Sequence, residues 1–209
     1  MRKAVWYFDV ISPFAYLHLQ HFGELPADLA ITYKPVLFAG LLNHWGQKGP
    51  AEIPAKRRWT YRACQFWADS HGIPFRFPAG HPFNSLHHLR LILACGSAPE
   101  AVHRVFDHVW TTGGDTADEK GFAELAGSLG VHDLSRLGAP EIKDTLRRNT
   151  EEAAALGVFG VPSFVAGGEV FWGNDSVEFF KAWLEDPALL SSPEMRRLDG
   201  LPVAAARKA

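Results

Sequence analysis

The chain has 209 residues, 47% of them hydrophobic and 21% charged, enough apolar mass for one globular domain with a real core, so a disordered chain is excluded. A formal net charge of −2 with no block of like charge argues against nucleic acid or an anionic membrane surface as the partner and leaves a small molecule as the default. No apolar run approaches the roughly 20 residues needed to span a bilayer. The basic start MRKAVWYF is interrupted by Asp9 and lacks a small-residue cleavage site, so a cytoplasmic protein is expected.

Residues 4 to 10 form a nearly continuous apolar and aromatic run, the pattern of a central strand covered on both faces. Ser12-Pro13 then predicts a helix to about His21, because serine is a favoured N-cap and proline fits the first helical position. A second strand is expected over 30–37, AITYKPVL, completing a strand, helix, strand unit. From there to about residue 156 the pattern is helical. Trp59, Ala63, Phe66 and Trp67 mark one face of a helix between Lys56 and Ser70, and Val102, Val105, Phe106 and Val109 do so between Ala101 and Trp110. Further helices are expected over 86–95, 118–129 and 139–156, the last closed by Gly157.

Strand signals return in SFVAGGEVFW, where Gly167-Gly168 is a two-residue hairpin signature. A final helix from about Ser176 to Leu184 carries Val177, Phe180 and Leu184 on one side. Residues 187–209, with Pro187, Pro193 and Pro202, are expected to be a surface-hugging or frayed tail. The order is that of an α/β layer interrupted by a helical block.

Candidate chemistry is sparse. Cys64 and Cys95 are far apart, form no Cys-x-x-Cys pair and sit among apolar neighbours, which suits core filling. The histidine pairs His18/His21 and His87/His88 lack further ligands at a convincing spacing, so no metal is expected. Asn174-Asp175-Ser176 matches a glycosylation sequon but is read as chance. Ser12 reads locally as a helix cap. Such a serine at the carboxyl end of a central strand also stands where ligands bind in open α/β sheets, beside the positive end of a helix dipole. Pro162, just before a strand, reads locally as a trans strand-start proline.

Phe8-Asp9-Val10-Ile11-Ser12-Pro13-Phe14 with Tyr16-Leu17, the Val161-Pro162 turn, and Phe171-Trp172-Gly173-Asn174-Asp175 resemble, in order, the 2-hydroxychromene-2-carboxylate isomerases and the related kappa-class glutathione transferases. The resemblance covers about residues 4 to 185. It implies an α/β thioredoxin-like fold with an inserted all-helical domain: residues 1–37 and 157–186 forming the thioredoxin-like part, 38–156 the insertion and 187–209 a tail. It implies a cis Pro162 and glutathione as cofactor, with Ser12 at the sulfur as the catalytic residue. The Val161 backbone next to Pro162 would hold the cysteinyl unit, and Asn174 and Asp175 the γ-glutamyl end. Gln47 stands where kappa-class enzymes carry an asparagine, Lys56 matches a lysine, and Trp59 replaces a tyrosine often found there.

For an aromatic substrate, Lys48, Lys56 or a nearby arginine are alternatives for holding the carboxylate, and Asn84 for lining the pocket, with helix capping as its other role. Asp175 is also expected to cap the last helix. The implied activity is glutathione-dependent isomerisation of a hydroxychromene carboxylate and its ring-opened benzylidenepyruvate in aromatic degradation, by a homodimer. A kappa-type transferase or peroxidase and a non-catalytic thioredoxin-like binding protein are the alternatives. A dithiol oxidoreductase is set aside because positions 12 to 16 contain no cysteine.

Overall fold

The computed structural model describes residues 1–205. Four strands, β1 (Arg2–Phe8), β2 (Leu29–Pro35), β3 (Ser163–Ala166) and β4 (Glu169–Trp172), form one sheet in the order β2-β1-β3-β4. β1 runs parallel to β2 and antiparallel to β3, with Trp6 opposite both Tyr33 and Phe164, and β3 pairs antiparallel to β4. The hairpin between β3 and β4 turns at Gly167 (φ 59°) and Gly168 (φ 90°), positive angles that a side chain would resist.

Helix α1 (Pro13–Gln20) follows β1, and α2 (Phe38–Trp45), α3 (Pro54–His71), α4 (Leu86–Ala94), α5 (Pro99–Trp110), α6 (Glu119–Ser128) and α7 (Pro140–Ala155) fill the stretch between β2 and β3. α8 (Val177–Glu185) closes the domain, burying Val177, Phe180 and Leu184. The fold is thus the expected α/β thioredoxin-like one, with α2 to α7 inserted between β2 and β3. Of the described helices, none is long and apolar enough to cross a membrane.

Alternation along β1 sends its side chains to two cores. Trp6 and Phe8 enter a large one shared with α1, α4, α5 and α8, and Tyr7 enters a smaller one with Leu41, Ala153, Val158, Val161 and Val165. α1 is buried almost all round, including Ala15, Tyr16, Leu17, His18 and Leu19, because it lies between the sheet and the helical block.

Two expectations need correction. Trp59 and Phe66, placed on the packed face of α3, are 68% and 70% exposed; that helix buries Thr60, Cys64 and Ala68 instead, with Trp67 half-buried. The apolar stripe chosen from sequence thus lies one residue out of phase with the contact the tertiary fold makes. Asp175 does not cap α8: the N-cap is Ser176, and neither side chain bonds a free amide of its first turn. Of the two forms expected for the proline-rich segment after 186, its described part takes the surface-hugging one, with a short 3-10 turn at Pro187–Ser191 and a helix α9 at Pro193–Asp199 that bury no residue. Asp186 and Ser192 cap them, and Pro187 and Pro193 sit in their first turns, where the missing N–H costs nothing. The rest of the expected tail, 206–209, lies outside the described residues.

Candidate active site

β1 ends at Phe8, and the chain turns through Asp9-Val10-Ile11 into α1. Ser12 caps that helix, its Oγ accepting from the Ala15 N–H at 3.2 Å, as local sequence predicted. The hydroxyl proton has one acceptor among the described residues, the Val161 carbonyl at 3.4 Å, a long and weak hydrogen bond. Ser12 is buried to 7% exposure. The Val161-Pro162 peptide is cis, as the resemblance and not the local reading implied.

The corner that carries Ser12 is held from several sides. The Asp9 carboxylate, 1% exposed, accepts from the Ile11 N–H at 3.0 Å and, through its other oxygen, from the Phe38 N–H at 2.9 Å at the start of α2. Burial raises the Asp9 carboxyl pKa, and the Ile11 and Phe38 amides and the Ser85 hydroxyl oppose that rise. Trp110 Nε1 donates to the Val10 carbonyl at 2.9 Å. His81 Nε2 lies 2.8 Å from the Ile11 carbonyl, which can only accept, so this nitrogen carries the hydrogen. The Tyr61 hydroxyl lies 2.7 Å from both His81 Nδ1 and the His81 carbonyl. Burial keeps the His81 ring below the ordinary imidazole pKa, against the opposing pull of the Ile11 carbonyl.

Asn174 follows β4 across Gly173, whose N–H donates to the Pro162 carbonyl at 2.9 Å, so the 173–175 turn is tied to the Val161-Pro162 turn. Asn174 is 6% exposed and its Oδ1 is buried without a hydrogen-bond partner among the described residues. Gly173 has φ 95°, and a Cβ there would lie 2.6 Å from Asp175 Oδ1, so the turn needs glycine. Asp175 itself is exposed.

The structure therefore brings together Ser12, Val161 and Pro162, with Asn174 linked to them through Gly173. Gln47, Lys48 and Lys56 are exposed, and hydrogen bonds among the described residues do not link their side chains to that cluster. Their segment does approach from the same side, since Trp45 Nε1 at the end of α2 donates to the Val158 carbonyl at 2.9 Å, three residues before Val161. Asn84 is spent locally, its Oδ1 accepting from the Leu86 N–H at 3.1 Å just before α4, whose N-cap is Ser85. Cys64 is buried, and desolvation pushes its thiol up to about 12, so it is no nucleophile at neutral pH.

Asp9, His81, Tyr61 and Trp110 were assigned no role from sequence. Asp9 had a signal, an acid inside an apolar run, because a buried carboxylate must find donors. The other three had none: the groups they bond lie 20, 70 and 100 residues away in the chain.

A family model described as a DSBA-like thioredoxin domain matches residues 4–185. A 2-hydroxychromene-2-carboxylate isomerase of Pseudomonas putida is 34% identical over 183 residues, covering 81% of this chain and 88% of that one. A glutathione S-transferase kappa 2 of Caenorhabditis elegans is 32% identical, covering 77% and 80%. Among solved structures, a 2-hydroxychromene-2-carboxylate isomerase superposes with a TM-score of 0.78 at 27% identity, over 91% of this chain and 98% of that one.

Proposed function

This chain belongs to the DSBA-like thioredoxin family, within the group of 2-hydroxychromene-2-carboxylate isomerases and kappa glutathione transferases, and from that premise we propose that it is a glutathione-dependent isomerase of hydroxychromene-carboxylate and benzylidenepyruvate type. The observation that carries this reading is the Ser12 hydroxyl, whose proton is committed only to a carbonyl 3.4 Å away. A thiolate beside it is the better acceptor and draws that hydrogen bond, the proton staying on the serine oxygen.

When bound, glutathione supplies a sulfur nucleophile whose reversible addition to a conjugated double bond leaves a single bond free to rotate before elimination. The chain's part is to keep that sulfur ionised. Lowering an ordinary thiol pKa of about 8.5 by about two units asks for about 2.7 kcal/mol of selective thiolate stabilisation. A charge-assisted hydrogen bond from Ser12 provides roughly 1.5 to 3 kcal/mol and the dipole of α1 about 0.3 to 1 kcal/mol, so the two suffice. A hydroxyl cannot form a mixed disulfide, which keeps the site on addition chemistry. The buried, unpartnered Asn174 Oδ1 suits the ammonium of the γ-glutamyl end. The Val161 backbone would hold the cysteinyl unit, with Gln47, Lys56 and Asp175 closing on the tripeptide.

The test is a spectrophotometric isomerisation assay with and without glutathione on wild type and Ser12→Ala. The variant should lose roughly a hundredfold or more in kcat while still binding glutathione; turnover like wild type would remove Ser12 from the chemistry. The kappa-type relative supports a second reading, transfer to another electrophile. Isomerisation leaves the free-thiol titre constant and transfer consumes it. Failure of millimolar glutathione to raise Tm would leave a thioredoxin-like binding protein.

A further inference from the structure

A cavity of about 390 Å³ lies between α2, α4 and α7, and neither Ser12, Val161 nor Asn174 lines it. Its volume falls in the range of small-molecule pockets, about 300–1,000 Å³. Leu37, Leu86, Leu146 and Ala154 provide apolar wall, and the cations Arg90 and Lys143 border it. Arg90 Nε is buried without a hydrogen-bond partner, and neither Arg90 nor Lys143 enters a side-chain ion pair among the described residues. Arg147 and Glu151, which also line the cavity, satisfy each other at 3.0 Å, so Glu151 does not neutralise Arg90.

A partly buried guanidinium without an acceptor is costly unless a ligand completes it, and its planar fork matches a carboxylate. Of the other polar groups that line it, the Thr150 hydroxyl is spent on the Leu146 carbonyl and the Leu37 N–H and Arg147 is paired with Glu151, which leaves His44, the two unpaired cations and the apolar wall to meet a ligand. We propose that this cavity is a binding site for an organic monocarboxylate with a compact apolar body, its carboxylate on Arg90 and Lys143 and its body against Leu37, Leu86 and Leu146. The site abuts the catalytic corner through the chain: Leu37 precedes Phe38, whose N–H is held by Asp9. The inference stands without the catalytic reading, since none of its residues is assigned to glutathione.

The test uses 2-naphthoate as probe, titrated calorimetrically into the full chain, with 2-naphthamide as the uncharged control. Wild type should bind the acid and bind the amide at least about tenfold more weakly, with Arg90→Gln losing about tenfold or more in affinity for the acid. Lys143→Gln, at an exposed position that folding tolerates, should lose a few-fold and serves if Arg90→Gln does not fold. Saturating glutathione should leave naphthoate binding in place. Undetectable binding at millimolar naphthoate, equal affinity for acid and amide, unchanged affinity in both variants, or competitive displacement by glutathione would each overturn the assignment.

Discussion

The two faces of the sheet are built differently. On the α1 side, Trp6 stacks on Phe8 at 4.3 Å between ring centroids and meets Phe22 and Phe106, while Phe164 stacks on Phe180 at 4.4 Å. Two of its polar groups are met by buried partners, Trp6 Nε1 donating to His18 Nδ1 at 3.0 Å and Trp110 Nε1 to the Val10 carbonyl. On the α7 side the core is small, and Tyr7 carries its hydroxyl out to Glu152 at 2.7 Å, where Lys34 also binds that carboxylate. Desolvation and the Glu152 contact raise the Tyr7 phenol pKa well above its ordinary value. One face is dry and aromatic, and the other is thin and closed by a polar edge. Ser12 grows from the helix on the dry face, while Val161 belongs to the thin one. Their contact at 3.4 Å is therefore where the two cores meet, and the rigidity of the first positions a group against the second.

The comparison breaks most clearly at Trp6. Trp6→Ala should cost about 3–5 kcal/mol in a denaturant melt, against about 2 kcal/mol for Val165→Ala on the other face; equal losses would show that the faces carry equal weight. Acid should also attack the dry side first. Burial lowers the pKa of His18 to about 3 and, with nearby His108 and His87, that of His88 to about 4, from 6.5. The unfolded chain then binds more protons than the fold between those values, so stability is full above about pH 6.5 and falls on acidification toward pH 4. Asp9, with a raised pKa, acts in the opposite sense near the carboxylate range. With a limit of about 1.4 kcal/mol per pH unit for each histidine, the net fall should be about 1 kcal/mol or more per unit. Melts at pH 6.5, 5.5 and 4.5 that coincide would refute it.

Smaller changes sharpen the picture. His81→Ala should cost about 1–2 kcal/mol by leaving the Ile11 carbonyl without its donor, and it should lower kcat more than it raises KM for glutathione, because it loosens the Ser12 corner. Tyr7→Phe should cost about 1 kcal/mol or less, since Glu152 keeps Lys34. Circular dichroism melts and steady-state kinetics measure both.

Much of the scaffold was legible along the chain because its signals are local. Ser12-Pro13 encodes a cap and a first turn, Gly167-Gly168 a two-residue hairpin, and the apolar run over 4–10 a strand covered on both faces. The packed face of α3 was not legible, because Trp59 and Phe66 fit an apolar stripe as well as Cys64 and Ala68 do, and only the neighbours decide which stripe is covered. The candidate site divides in the same way. Ser12, Val161, Pro162 and Asn174 lie in short motifs, and the structure puts them in one place. Asp9, Tyr61, His81 and Trp110 hold that place together through bonds to backbone atoms far along the chain, and no pattern of residue types announces a partner of that kind.

What the sequence by itself determined was the set of local elements, their order and a hydroxyl in place of a thiol at the start of α1, since capping, turn chemistry and side-chain period act over a few residues. Tertiary structure alone decided that Ser12 faces Val161 across 149 positions, that Asp9 is buried among amides, and that Arg90 is left at a cavity without an acceptor. Those outcomes depend on how sheet and helical block close on each other, and desolvation and long-range hydrogen bonding take effect only once they have closed.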